Sequence, residues 1–197
     1  MTSSNSKMDG DPSGVVEHTL KVERATPEAL ASFGTLIGGP PDATARLSNF
    51  YDQAVRVQPI AFRSDLPVEM SLCTVSPRAQ SVRWMERHFQ HTQTFLPLGG
   101  KPFSMVLAPP TEGDLPDPEA VRAFRFEGGA GFMLDVGVWH EFPFAEEQDT
   151  RIAVLLTREA IQGLEAENIV AGEGYSSDLE KKDMARRLGI RWRLGVD

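Results

Sequence analysis

From Tyr51 to Thr157 the chain is a succession of short β-favouring runs separated by Pro, Gly and Asp. The runs are Val55–Phe62, Met70–Ser76, Arg83–His88, Thr92–Leu98, Phe103–Ala108, Val121–Phe126, Gly131–Leu134 and Arg151–Thr157. Between them stand Ser76-Pro77, Leu98-Gly99-Gly100-Lys101-Pro102, Pro109-Pro110 and Gly128-Gly129. Runs this short, closed by residues that end strands, predict an antiparallel sandwich or barrel of about eight strands. The fold class is therefore mainly β with a few short helices. Upstream, Val15–Ala25 alternates loosely as a first strand. Thr26 to Gly34 reads as a compact helix, with Thr26 as N-cap, Pro27 at the first helical position and Gly34 as the stop. Gly38-Gly39-Pro40-Pro41 is a turn, and Pro116–Val121 adds one helical turn.

The character changes after residue 160. Ser177 answered by Glu180 forms a capping-box pattern, and Leu179, Met184 and Leu188 fall near one face of a helix. Gly189 ends that helix, and Ile190–Leu194 alternates as a final strand. The Lys/Arg-rich stretch within it reads as a solvated helix face. Three segments result: a tail at 1–14, poor in anything to bury and expected to be disordered, a β domain at 15–160, and an extension at 161–197 with one helix and a short strand.

With 20 Lys and Arg against 28 Asp and Glu, the net charge of −8 argues against a nucleic-acid surface. No apolar run approaches the roughly 18 residues of a membrane span, and no signal-peptide pattern is visible. The single cysteine, Cys73, excludes an intrachain disulfide and fits a reducing cytoplasm. Its neighbours Ser71-Leu72 and Thr74-Val75 make it a small core residue rather than a nucleophile.

Three of the four histidines lie in two motifs, Glu86-Arg87-His88-Phe89-Gln90-His91-Thr92-Gln93 and Gly137-Val138-Trp139-His140. Imidazoles and a side-chain amide or carboxylate can share a divalent metal. On one flat strand His88 and Gln90 face one way, His91 and Gln93 the other. A turn between Phe89 and Thr92 would bring His88 and Gln93 together on adjoining strands. Competing readings remain at this point. The histidines could be hydrogen-bonded core residues, Glu86 and Arg87 a surface ion pair of little value, and Asp135 or Glu141 either a general base or a rim charge that holds a histidine tautomer.

These residues carry a resemblance. Glu86-Arg87-His88, Thr92-Gln93-Thr94-Phe95-Leu96-Pro97-Leu98, Val106-Leu107-Ala108-Pro109 and Gly137-Val138-Trp139-His140, with Pro27 to Gly34 at the start, resemble the ureidoglycolate lyase family over roughly residues 20–158. The resemblance implies a cupin-type antiparallel, jelly-roll-like β-barrel, usually a homodimer, that cleaves ureidoglycolate to glyoxylate and urea in allantoin breakdown, and a divalent metal, nickel or manganese. It places His88, Gln93 and His140 at the barrel mouth as metal ligands or oxygen-binding groups. It departs from the family at Met133, Leu134, Asp135 and Val136, where Asn-Tyr-His-Arg is usual, at Glu141, where a second histidine is usual, and at Phe89-Gln90-His91, where Pro-Leu-Gly is usual.

The reading is thus a cytoplasmic lyase acting on a small carboxylate. His140, His91 and Glu141 are the candidates for proton transfer. Arg87, Glu86, Gln93 and Trp139 are the candidates for substrate binding. Two further classes stay open from the sequence: a non-catalytic cupin that binds a carboxylate metabolite, and another metal-dependent cupin, an isomerase or oxygenase.

Overall fold

A computed structural model describes residues 14–38, 51–165, 169–170 and 172–195. The tail at 1–13 and all but Gly38 of the Gly38–Pro41 turn lie outside the described residues. The strands are β1 (Val16–Leu20), β2 (Val22–Arg24), β3 (Gly34–Ile37), β4 (Val68–Val75), β5 (Ser81–Val82), β6 (Trp84–His88), β7 (Thr94–Leu98), β8 (Phe103–Ala108), β9 (Arg122–Phe126), β10 (Gly131–Leu134), β11 (Trp139–His140), β12 (Phe144–Ala145), β13 (Thr150–Thr157), β14 (Ile169–Val170), β15 (Glu173–Tyr175), β16 (Leu179–Asp183) and β17 (Ile190–Leu194). Two short helices, α1 (Arg158–Gly163) and α2 (Met184–Leu188), lie among the last of them.

The molecule is mainly β, as the spacing predicts, but its sheets do not close into a continuous barrel. A five-stranded sheet, β3-β10-β7-β13-β4, faces a larger one, β14-β15-β16-β6-β11-β8-β9-β2, with β12 added on β8. A three-stranded sheet, β1-β17-β5, completes the set. Pairing is antiparallel except for β1 with β17 and β2 with β9. The expected first strand breaks at Lys21, because β1 and β2 belong to different sheets.

Strand β8 shows how the layers are built. All six of its residues are buried, the mark of a strand covered on both faces. Phe103, Met105 and Leu107 point into the core between the two large sheets, where they meet Phe95, Phe132, Leu134, Ile152 and Val154. Val106 and Ala108 point the other way, into a second core with Met85, Trp139, Met184, Trp192 and Leu194. The extension therefore covers the outer face of the larger sheet. Each fully buried large side chain contributes on the order of 1.5–3 kcal/mol.

Three local expectations are corrected. Residues 55–62 form no strand: Pro59 withdraws a ladder donor, and most of the run is exposed. The segment after Thr26 makes a capped turn rather than a helix. The Ala29 amide donates to Thr26 Oγ1 at 3.2 Å and the Gly34 amide to the Leu30 carbonyl at 3.1 Å, and the chain then enters β3. A helix this short does not recover its nucleation cost. The stretch 179–188, expected to be one helix, is divided between β16 and α2. Asp183 caps α2 through the Arg186 amide, and Gly189 ends it at φ 67°, a left-handed conformation glycine adopts without strain.

Candidate active site

Strand parity decides which side chains meet. His88 and Glu86 lie on the inner face of β6, while Met85 and Arg87 lie on the outer face. Antiparallel pairing carries that parity sideways. His140 of β11 is opposite Glu86 and Leu107, and Lys181 of β16 is also opposite Glu86. His140, Glu86, His88 and Lys181 thus share the inner face. Beyond His88 the chain bends through Phe89 and Gln90, and His91 bridges Ser64 before β7 begins in the facing sheet. This is the turn that the histidine spacing requires. Gly137, at φ 81°, makes the turn into β11 and ties it to β6 through a 2.7 Å bond from its amide to the His88 carbonyl.

The ring centroids of His88 and His91 are 4.6 Å apart, those of His88 and His140 5.3 Å, and Phe95 packs edge-on to His140 at 6.1 Å. Each Nδ1 faces an oxygen that can only accept: the Asp178 carbonyl for His88 (3.1 Å), Asp178 Oδ2 for His91 (2.7 Å) and the Val138 carbonyl for His140 (3.2 Å). Nδ1 therefore carries the proton in all three, and Nε2 presents a lone pair. All three Nε2 atoms are buried without a hydrogen-bond partner, as is Gln93 Oε1. Three orphaned ring nitrogens in one interior are costly unless a cation or a substrate satisfies them.

Glu86 sharpens this. Its Oε1 is 3.4 Å from His140 Nε2, without hydrogen-bond geometry, and its Oε2 accepts from Lys181 Nζ at 2.9 Å. A lone pair facing a carboxylate oxygen is repulsive unless a proton or metal ion lies between them. Ligand atoms of Glu86, His88 and His140 lie within 4.8 Å of one another, which fits a divalent ion. His88, His91 and Asp178 also meet that criterion. Asp178, however, is saturated. Its Oδ1 accepts from the amides of Phe89 (3.1 Å) and Gln90 (2.7 Å), and its Oδ2 from His91 and the Thr157 hydroxyl. It orients ligands instead of binding an ion.

Burial, together with His140 beside it, pushes His88 down to about 3, so this imidazole is neutral at physiological pH. Burial alone would raise the Glu86 carboxyl, but the Lys181 ammonium, together with His140 and His88 beside it, outweighs it and holds Glu86 below the usual carboxylate range. Asp178 is likewise held low against its burial by its bonds from His91 and Thr157. Burial raises Glu141, with Lys181 and Arg78 opposing and Glu86 reinforcing. The same burial would lower Lys181, and Glu86 with Glu141 reverses it, so Lys181 stays protonated.

The sequence candidates divide accordingly. His88, His91, His140, Glu86 and Gln93 are buried on the inner side of the fold, and Glu141 lies at their edge beside Arg78 (3.4 Å). Arg87 and Trp139 are not brought there. Arg87 donates to Glu180 Oε2 at 2.9 and 2.7 Å and to the Thr111 carbonyl at 2.9 Å, and it stacks on Trp139 at 4.4 Å on the outer face. Among the residues that depart from the family pattern, Leu134 belongs to the core, and Asp135 and Val136 sit on an exposed turn. Sequence reasoning missed Asp178 and Lys181. Leu179-Glu180-Lys181-Lys182-Asp183 carries no apolar alternation that could have pointed to either.

The family model for ureidoglycolate lyase matches residues 17–177. A ureidoglycolate lyase of Azotobacter vinelandii is 33% identical over 147 residues, which cover 69% of this chain and 83% of that protein. The Stutzerimonas stutzeri ureidoglycolate lyase is 34% identical over 126 residues, 62% of this chain and 73% of that protein. Among solved structures, the Mn(II)-containing oxalate decarboxylase of Bacillus subtilis overlays with a TM-score of 0.34 at 11% identity, covering 71% of this chain and 36% of that chain. On the extent of the family match and the identity of its relatives, this chain belongs to the ureidoglycolate lyase family.

Proposed function

We propose that the protein is a lyase that cleaves ureidoglycolate to glyoxylate and urea. Beyond family membership, the observation that carries this reading is the set of three bare ring nitrogens on His88, His91 and His140, whose rings pack against one another in the interior. The reaction removes the proton of the substrate's hydroxyl, forms a carbonyl at that carbon as the C–N bond breaks, and returns a proton to the departing urea nitrogen. His91 is the base: Asp178 fixes its Nδ1–H and leaves Nε2 to accept. Glu141, which burial makes a weaker acid than an ordinary carboxyl, is the candidate acid at the edge of the site. His88, His140, Glu86 and Gln93 would hold a divalent ion, nickel or manganese. Such an ion supplies electrostatic stabilisation of an oxygen that gains negative charge. Nothing in the site favours a non-catalytic binder, an isomerase or an oxygenase.

The substrate is a small carboxylate. Two wider features belong to the same proposal. A homodimer is supported by the edge strand β4, which presents Val68, Met70 and Leu72 to solvent. A cytoplasmic location is supported by the lone Cys73.

The test is glyoxylate release from ureidoglycolate by folded protein supplied with Ni²⁺ or Mn²⁺. Release above the uncatalysed rate is expected, and its absence overturns the reading. Glu141→Gln should shift the pH profile of kcat. An unchanged rate and profile would leave Glu141 as a rim charge.

A further inference from the structure

We propose that Lys181, delivered by β16, is the cation that receives the substrate's carboxylate. This rests on the lyase reading, because ureidoglycolate carries a carboxylate that must be held while the bond at the neighbouring carbon breaks. The sequence candidate for that task, Arg87, is on the outer face and committed to Glu180 and Thr111. Arg78 reaches Glu141 at 3.4 Å, but its guanidinium is otherwise committed, donating to the carbonyls of Pro143 (2.7 Å) and Phe142 (2.8 Å) and packing over Phe144.

Lys181 differs on each count. Its register opposite Glu86 places it on the histidine side of the sheet. Its described hydrogen bond, to Glu86 Oε2, uses one of three ammonium protons. Its side chain is 24% exposed, while those of Glu86 and His140 are 3% and 1% exposed. Lys181 and Glu141 are thus the more exposed members of this group, and Glu86 and the histidines the more deeply buried. An anion entering from solvent meets the ammonium before it meets the ring nitrogens. The compact ammonium on a flexible stem can keep Glu86 and accept a second carboxylate. Lys181 lies just beyond the span matched by the family model, residues 17–177.

The experiment compares glycolate with its neutral isostere glycolamide by calorimetry, alongside steady-state kinetics with ureidoglycolate, on wild type, Lys181→Met and Lys181→Arg. Losing a hydrogen bond to a charged partner typically costs about tenfold to a hundredfold in affinity. Wild type should prefer glycolate by at least about that tenfold, and Lys181→Met should lose the preference while binding glycolamide as before. In the same variant the KM for ureidoglycolate should rise with little change in kcat, and Lys181→Arg should recover part of the loss. Equal binding of glycolate and glycolamide by wild type overturns the proposal, whatever the variants do. So does a Lys181→Met enzyme that keeps the glycolate preference and loses only kcat, for then Lys181 merely neutralises Glu86. If Lys181→Met does not fold, Lys181→Gln and the wild-type comparison decide. A protein that shows the Lys181-dependent preference but releases no glyoxylate keeps the carboxylate site and loses the lyase reading. Turnover that is indifferent to Lys181 does the reverse.

Discussion

The atoms that could do chemistry and the atoms that hold them come from different parts of the chain. His88, His91, Gln93 and His140 lie between residues 86 and 140, on β6, β11 and the bend between the two large sheets. Asp178 and Lys181, which fix the tautomers of His88 and His91 and set the charge on Glu86, enter from the start of β16. The first group leaves acceptors unsatisfied, whereas in the second Asp178 is saturated with donors and Lys181 is bonded to Glu86. The difference separates reactivity from orientation, because a lone pair is useful only if something else has already fixed which ring nitrogen carries the proton. Substitutions in the two groups should therefore fail in different ways.

The largest effect is expected in the first group. His140→Ala removes both a ring nitrogen and the neighbour of Glu86. Loss of a proton-transfer group or ligand should lower glyoxylate release by about 10²–10⁴-fold. The far-ultraviolet dichroism should stay that of the parent. A loss smaller than about tenfold would move His140 from the reacting group into the structural one.

Asp178→Asn tests the second group. The amide keeps the size but turns one acceptor into a donor, which cannot serve the amides of Phe89 and Gln90, His91 and Thr157 together. Changes to groups that orient metal ligands typically cost about 10–100-fold in metal affinity or activity. Metal titration followed by calorimetry, together with kcat, should show that range. Full metal affinity with a normal rate would mean that the histidines hold their tautomers without Asp178.

How much of this could be read from residues alone follows the same division. Strands β8 and β10 lie where the sequence places them, because each is a short, nearly continuous apolar run bounded by Gly or Pro, the mark of a buried strand. The first group was legible as well, since histidine, glutamine and a turn are local signals. The second group was not. Asp178 and Lys181 act on residues about ninety positions upstream. Nothing within the run 177–183 reveals that it pairs with β6, and a capping-box pattern with a run of charges suggests helix to any local rule. Arg87 misled for a related reason. Its neighbours Glu86 and His88 face the site, and only parity on a known strand turns it to the other side.

That parity is itself breakable. Arg87→Met removes the bonds to Glu180 and Thr111 but retains apolar packing on Trp139. Glu180 keeps Lys182 at 3.0 Å as a second partner. A stability loss of about 1–3 kcal/mol is expected in denaturant titration, with kcat/KM for ureidoglycolate essentially unchanged. A KM increase comparable to that of Lys181→Met would place Arg87 at the substrate and undo the contrast between the two faces of β6.

The smallest effect concerns how the second group is itself anchored, and it depends on pH. Glu173 on β15 accepts from the Asp183 amide (3.0 Å), from the Tyr175 hydroxyl (2.9 Å) and from two nitrogens of Arg187 (3.0 and 2.6 Å), joining β15 to the end of β16 and to α2. Burial would raise this carboxyl, but Arg187 and the two other donors outweigh it and hold Glu173 down to about 2 from the ordinary 4.5. Because the folded value lies below the unfolded one, the stabilisation is complete above about pH 4.5 and is lost as the pH falls towards about 2. Since Arg187 is 40% exposed, solvent screens its share of the interaction. The melting temperature of Glu173→Gln should therefore lie below that of wild type by a modest margin at neutral pH, and the gap should close between pH 4.5 and 2. The other carboxylates titrate equally in both proteins and cancel in the difference. A gap that does not change with pH would show that Glu173 contributes shape alone. A metal affinity lower in Glu173→Gln than in wild type at one neutral pH, where ligand protonation is common to both proteins, would tie the hold of β16 on Asp178 and Lys181 to a carboxylate that touches neither.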